Sequence, residues 1–256
     1  MKPRPLFALV YALALAATTA LAWALSAVIA APAHAQAGEL PRSLRETGFF
    51  DATGRTPFSV QYPLWSDGAD KQRLIALPPG TAVDASNPDV WSFPVGTRLW
   101  KTFSHAGRPV ETRYIERVAD GSWRYATYLW SSDGHDAVLA AARRATVLVS
   151  ADFPGGRYVV PSQGDCVACH ALAPVPVLGF SALQLSGARD PNAPNGRPRA
   201  ADEPDLRALV ERGVVRGLPQ SLWQTPPRIA AASPVERAAL GYLHANCSHC
   251  HHDSTG

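Results

Sequence analysis

The clearest period in the chain is two. From Ser122 to Trp130, the side chains of Trp123, Tyr125, Thr127 and Leu129 fall on one side of an extended backbone, and those of Arg124, Ala126, Tyr128 and Trp130 on the other. Successive side chains of a strand point to opposite faces, so this aromatic and β-branched run predicts a β-strand. Val110–Val118 comes just before it. Ala119-Asp120-Gly121 supplies turn chemistry between the two runs, which predicts a hairpin. The same texture extends from Thr56 to Val160, where Pro78-Pro79-Gly80, Asn87-Pro88-Asp89, Pro94, Gly96 and Pro154-Gly155-Gly156 break up the apolar runs. Within it, Trp65-Ser66-Asp67-Gly68 reads as a turn, and Asp136–Arg144 as one short helix. Glu111 and Arg113 share a strand face and are expected to be solvent-facing or paired.

After Pro161 the period changes. A helical turn is predicted to begin at Cys166. Gly187–Pro204 is rich in Pro, Gly, Asn and Asp and reads as a loop. Pro204–Arg212 predicts a short helix stopped by Gly213. Ser233-Pro234-Val235-Glu236 has the form of a capping box with Pro at the first helical position. The helix it starts runs to about Asn246, with Val235, Ala239, Tyr242 and Leu243 at helical spacing, and leads directly into Cys247.

All four cysteines occur in two copies of one pattern, Cys166-Val167-Ala168-Cys169-His170 and Cys247-Ser248-His249-Cys250-His251. C-x-x-C-H is the attachment sequence of a c-type haem: two thiols add to the haem vinyl groups, and the adjacent histidine ligates the iron. Two other readings use the same cysteines. One structural zinc needs halves about 15–20 residues apart, whereas these begin 247 − 166 = 81 residues apart, and zinc gives no reason for a histidine after each pair. Disulfide redox chemistry expects a βαβ context that the pattern lacks. The candidate site residues are therefore the thioether anchors Cys166, Cys169, Cys247 and Cys250 and the iron ligands His170 and His251, holding two covalent haem c groups.

The N-terminus agrees with that chemistry. Lys2 and Arg4 precede an uncharged Leu/Ala-rich run from Leu6 to Ala33, and Ala33-His34-Ala35 is a small-x-small cleavage signal. This reads as a secretory signal peptide over residues 1–35. The run is also long enough to span a bilayer, so an uncleaved anchor is the alternative. Both place the rest of the chain outside the cytoplasm, and haem c with a signal peptide points to a bacterial periplasm. Removing residues 1–35 takes two positive charges and lowers the formal charge from +3 to 22 − 21 = +1. A near-neutral chain gives no case for nucleic-acid binding.

The stretches YPLWSDGADKQRLIALPPGT, FPVGTRLWKTF, ETRYIER, YLW, VPSQGDCVACH, LGFSALQLSG and YLHANCSHCHH, in that order, resemble a family of uncharacterised bacterial periplasmic dihaem c-type cytochromes with a β-rich domain before the first haem motif. The resemblance covers the chain from about Phe49 onward. It implies haem-dependent electron transfer with a redox partner protein, and names no substrate. The expected fold class is α+β: a β-rich domain over residues 36–160, followed by a mostly α-helical cytochrome c-like region over 161–256 with both haem motifs. The alternative function is a haem enzyme, peroxidase-like or another oxidoreductase, with an open iron position.

Two features bear on that choice. The only methionine is Met1, so no methionine of the mature chain can be a sixth ligand. His105 and His135 lie beside turn residues and read as exposed loop histidines or as distal ligands from the β-rich part, and His244 as a surface or proximal-side residue. His249 and His252 sit too close to the second motif to reach the far side of its haem. The sequence ends six residues after Cys250, and it is expected to be a piece of a longer protein whose second haem is largely uncovered here.

Overall fold

The computed structural model describes residues 39–149, 154–171 and 173–252. The predicted signal peptide, residues 1–35, lies outside the described residues. Among these residues no helix is long and apolar enough to cross a membrane.

Residues Leu40–Gly256 form one compact unit organised by a six-stranded antiparallel sheet. Its strands are β1 (Arg55–Pro57), β2 (Asp70–Ala76), β4 (Arg98–His105), β5 (Arg108–Arg117), β6 (Trp123–Trp130) and β7 (Ala137–Leu139), in that spatial order. β3 (Val83–Asp84) pairs in parallel with β10 (Val215–Arg216), and β8 (Ala145–Leu148) pairs with β9 (Arg157–Val160). The predicted hairpin is β5–β6, closed by Gly121 in the left-handed region and by the Ser122 N–H donating to Asp120. The turn at Trp65–Gly68 is also present: Asp67 and Gly68 both have positive φ, and the Ala69 N–H returns to the Ser66 carbonyl at 2.9 Å.

Both faces of the sheet are covered, so alternation does not separate an inside from an outside. On one face Trp100, Tyr114, Ala126 and Tyr128 pack under Leu44 and Ala137. The Trp100 indole N–H donates to Thr47 Oγ1 at 2.8 Å. On the other face Ile75 and Leu99 join the largest core cluster with Phe58, Trp91, Phe93, Phe180, Leu185 and Leu209. That cluster takes residues from both sides of the expected division at residue 160, and the β3–β10 pairing crosses it too.

Two expectations are corrected. The region after residue 160 is not a mostly helical, cytochrome c-like layer, so the α+β class does not hold and the molecule is mainly β. Its described helices are short: α1 (Gln163–His170), α2 (Leu206–Glu211) and α3 (Gln220–Gln224) span 8, 6 and 5 residues, and only α4 (Pro234–Asn246) reaches 13. Between α1 and α2 lie Pro174, Pro176, Gly179, Gly187, Pro191, Pro194, Gly196 and Pro198, each of which removes a helical hydrogen bond or raises the backbone entropy cost. The second correction is Asp136–Arg144, which is not a helix. Ala137–Leu139 extends the sheet as β7, with Leu129 opposite Val138 and the Leu139 N–H donating to the Arg42 carbonyl. β6 would otherwise leave a row of unpaired backbone groups at the sheet edge, and β7 satisfies them.

Candidate haem site

α1 carries the first motif and is held at its start by local chemistry. Ser162 Oγ accepts from the Asp165 N–H at 3.2 Å, and the Asp165 carboxylate accepts from the Ser162 N–H at 2.8 Å, a reciprocal capping box. Arg144 also donates to Asp165 at 2.7 Å, which with these bonds holds the carboxyl far below its ordinary range. α1 lies against β6, where Thr127 is a neighbour of the Cys166 thiol. The Tyr125 ring sits 5.4 Å from the His170 ring.

Cys166, Cys169 and His170 all line one cavity of about 440 Å³, a size usual for cofactor sites. Its walls are largely apolar, with Phe58, Val60, Trp91, Leu99, Ile115 and Phe180 among them. His170 Nδ1 lies 2.6 Å from the Pro176 carbonyl oxygen. A carbonyl only accepts, so Nδ1 carries the proton and Nε2 keeps its lone pair. Burial pushes the His170 pKa down to about 4, with the neighbouring Lys101, Arg113 and His249 adding to the effect, so the ring is neutral near pH 7. Burial likewise raises the Cys166 and Cys169 thiols.

The second motif is placed differently. α4 begins as predicted, with Ser233 Oγ accepting from the Glu236 N–H at 3.1 Å, although the Glu236 carboxylate returns to the Ala232 N–H. α4 is fixed to the body by Trp65, whose N–H donates to Asn246 Oδ1 at 2.9 Å. It is also fixed by Gly241, which is so close to the Tyr62 ring that a Cβ there would collide with it. The motif itself forms turns after the helix. Cys247 is half-buried, and Cys250 and His251 are exposed; none of the three lines the cavity. His244, Ala245, Ser248 and His249 do line it. The two motifs are therefore near neighbours: Cys250 contributes to raising the Cys169 thiol, and His249 to lowering His170.

Of the two readings of His105 and His135, the distal one finds no support in this arrangement. Neither His105 nor His135 lines the cavity. His105 ends β4 with its ring 5.5 Å from that of Tyr158, and His135 is exposed before β7. His244 is not a surface residue but a half-buried wall of the cavity, and His249 joins it. His249 lies inside the second motif yet reaches the first, which sequence spacing does not reveal. Of the two readings of Glu111 and Arg113, pairing holds. Glu111 is fully buried and accepts from Arg113 at 2.6 Å and from the Tyr158 hydroxyl at 2.7 Å.

Among the described residues no group of three or more His, Cys, Asp or Glu side chains is placed to hold a bare metal ion. A porphyrin supplies four of its iron's ligands itself, so a haem site does not require such a group. Around the first motif the residues fit a haem: two thiols, an oriented neutral imidazole and apolar walls face one space. The second motif has no comparable enclosure among the described residues. Comparison with known proteins gives no match, whether to a family model, a curated protein or a solved structure.

Proposed function

We propose that the chain is a c-type cytochrome that carries electrons outside the cytoplasm, with haem attached at Cys166 and Cys169 and at Cys247 and Cys250. The observation that supports this most is the His170–Pro176 hydrogen bond. It fixes the ring nitrogen proton away from the cavity and leaves Nε2 available to an iron, while both thiols of the same motif line that cavity. A partner on the second nitrogen of a metal-bound histidine sets its tautomer and basicity. Bound haem supplies the one-electron Fe(III)/Fe(II) couple. The chain's own residues anchor it by two thioethers, present one imidazole and exclude water with Phe58, Trp91, Leu99 and Phe180. The second attachment rests on its motif alone. His244 and His249 also line the cavity and would be the further imidazoles near a haem held there.

The test is the full chain made in cells with haem-maturation machinery. Mass spectrometry after acid–acetone extraction is expected to retain two haems, one on each cysteine pair, and a haem-free polypeptide would end the proposal. Electronic and EPR spectra separate a carrier from an enzyme. A low-spin first haem closed to cyanide supports electron transfer, and a high-spin haem that binds cyanide or peroxide supports the enzymatic alternative.

A further inference from the structure

Three basic side chains stand in one row across the buried sheet. Arg73 on β2 is opposite Lys101 on β4, Lys101 is opposite Arg113 on β5, and Arg113 is opposite Thr127 on β6. Directly opposed residues share a face, and like charges so placed repel. All three cations line the cavity that receives Cys166, Cys169 and His170. Arg73 is only 9% exposed. Lys101 lies deep in the molecule and keeps accessible surface because it faces the cavity.

The surrounding carboxylates compensate this row only in part: Glu111 pairs with Arg113, and Glu111 and Glu203 act on Lys101 and Arg73 only at a distance. Glu111 holds Arg113 together with Tyr158. Asp165 is taken by Arg144 and Ser162. Glu203 accepts from Arg197, from Ser59 at 2.7 Å and from the Ala200 N–H at 2.9 Å. Asp89 is exposed at the rim. Among the described residues neither Arg73 nor Lys101 forms an ion pair; Lys101 has only the Phe103 ring 4.9 Å from its Nζ, and the Arg113 guanidinium covers that ring at 4.2 Å. Burial, then the charges of Arg73, Arg113 and Lys71, push the Lys101 pKa well down. Buried cations with no carboxylate in contact are costly, and two of them, Arg73 and Lys101, beside a cavity call for an anion inside it.

The row also has a direction. It starts at Thr127, on the strand that α1 packs against and a neighbour of Cys166, and runs away from the attachment point. With strands about 4.8 Å apart, Lys101 and Arg73 lie roughly 10 and 14 Å across the sheet from Thr127, a porphyrin's width away. A haem joined by its vinyl edge presents its two carboxylates at the other edge. We propose that Arg73 and Lys101, continued by Arg113, bind the propionate carboxylates of the haem anchored at Cys166 and Cys169. This rests on the haem reading above.

The experiment uses the matured full chain and the variants Lys101→Met and Lys101→Arg, with Arg98→Met as a control cation outside the cavity. Peptide mass spectrometry of the Cys166–Cys169 segment reports attachment. Resonance Raman propionate bending bands and a redox titration report the contact. Lys101→Met is expected to keep the haem, shift the propionate band and lower the reduction equilibrium constant of that haem about tenfold, the effect of a unit charge about 10 Å away at an effective dielectric of about 20. Lys101→Arg restores both readouts, and Arg98→Met moves neither. An attached haem whose band and potential ignore Lys101→Met overturns the propionate assignment and leaves the haem reading intact. Absence of haem from the wild-type segment overturns the reading itself. If added formate shifts the wild-type potential, Lys101→Met abolishes that shift and the propionate band stays fixed, the row takes a free anion and the propionate assignment is wrong.

Discussion

The two C-x-x-C-H motifs have the same spacing but different surroundings. The first sits on a capped helix against β6, with its histidine oriented by Pro176 and both thiols lining a cavity. The second follows α4 in a set of turns, with Cys250 and His251 exposed, and lends His249 to the first motif's cavity. A pentapeptide specifies attachment chemistry. The surroundings of the motif come from distant parts of the chain, here β2, β4, β5 and the Pro-rich segment after α1, which line its cavity.

The largest predicted difference is in the axial histidines. His170→Ala is expected to keep a haem on Cys166 and Cys169 while changing its spin state and potential, because the thioethers persist and the iron loses a strong ligand. His251→Ala should leave the first haem's spectrum unchanged. Equal disturbance of the first haem by both variants would erase the distinction. Next is the wall. Phe180 is 1% exposed and meets the rings of Phe58, Trp91 and Phe93. Phe180→Ala should cost about 3–5 kcal/mol in denaturant unfolding. Leu243→Ala, on α4 at 52% exposure, should cost under about 0.5 kcal/mol.

The support beneath α4 gives a smaller, pH-dependent effect. Burial, with the bond to Asp190, raises the Tyr62 hydroxyl to about 12. A raised folded-state pKa gives stability that is whole below the unfolded value near 10 and is lost as pH climbs toward 12. Tyr114, Tyr128 and Tyr158 are raised in the same direction. Lys71, lowered to about 8 mainly by burial, works against them, because its burial penalty is relieved as pH rises from 8. Stability from urea unfolding should fall between pH 9 and pH 11, and Tyr62→Phe should reduce the fall by about 1 kcal/mol or less once solvent screening is allowed for. No difference between wild type and Tyr62→Phe would remove Tyr62 from this account. The smallest effect is at the caps. Ser162→Ala and Ser233→Ala should each cost about 1 kcal/mol, but only Ser162→Ala should broaden the first haem's EPR signal.

How far the sequence was legible follows from the range of each interaction. The β5–β6 hairpin, α2 and α4 rest on turn residues, caps and periodicity within a dozen positions, and they form where expected. The helical haem region was expected from the motifs, but the Pro/Gly-rich chain between His170 and Leu206 does not propagate helix. Lys101 sits in a strand between Trp100 and Thr102. A polar position there reads as solvent-facing until β2 and β5 place Arg73 and Arg113 beside it and the segment after α1 closes over all three. Sequence leaves His244 as a surface or a proximal-side residue, because its helix faces the cavity only through the fit of α4 against Tyr62.

That fit makes α4 a lever. Its fulcrum is Gly241, where the clearance from the Tyr62 ring admits a hydrogen and no carbon. His244 and Cys247 lie three and six residues beyond it, about 4.5 and 9 Å along the helix axis. A methyl group at position 241 would force either the arm or the Tyr62 ring to move. The placement of His244 and of the second C-x-x-C-H motif against the body is thus gauged by one missing carbon some distance from either.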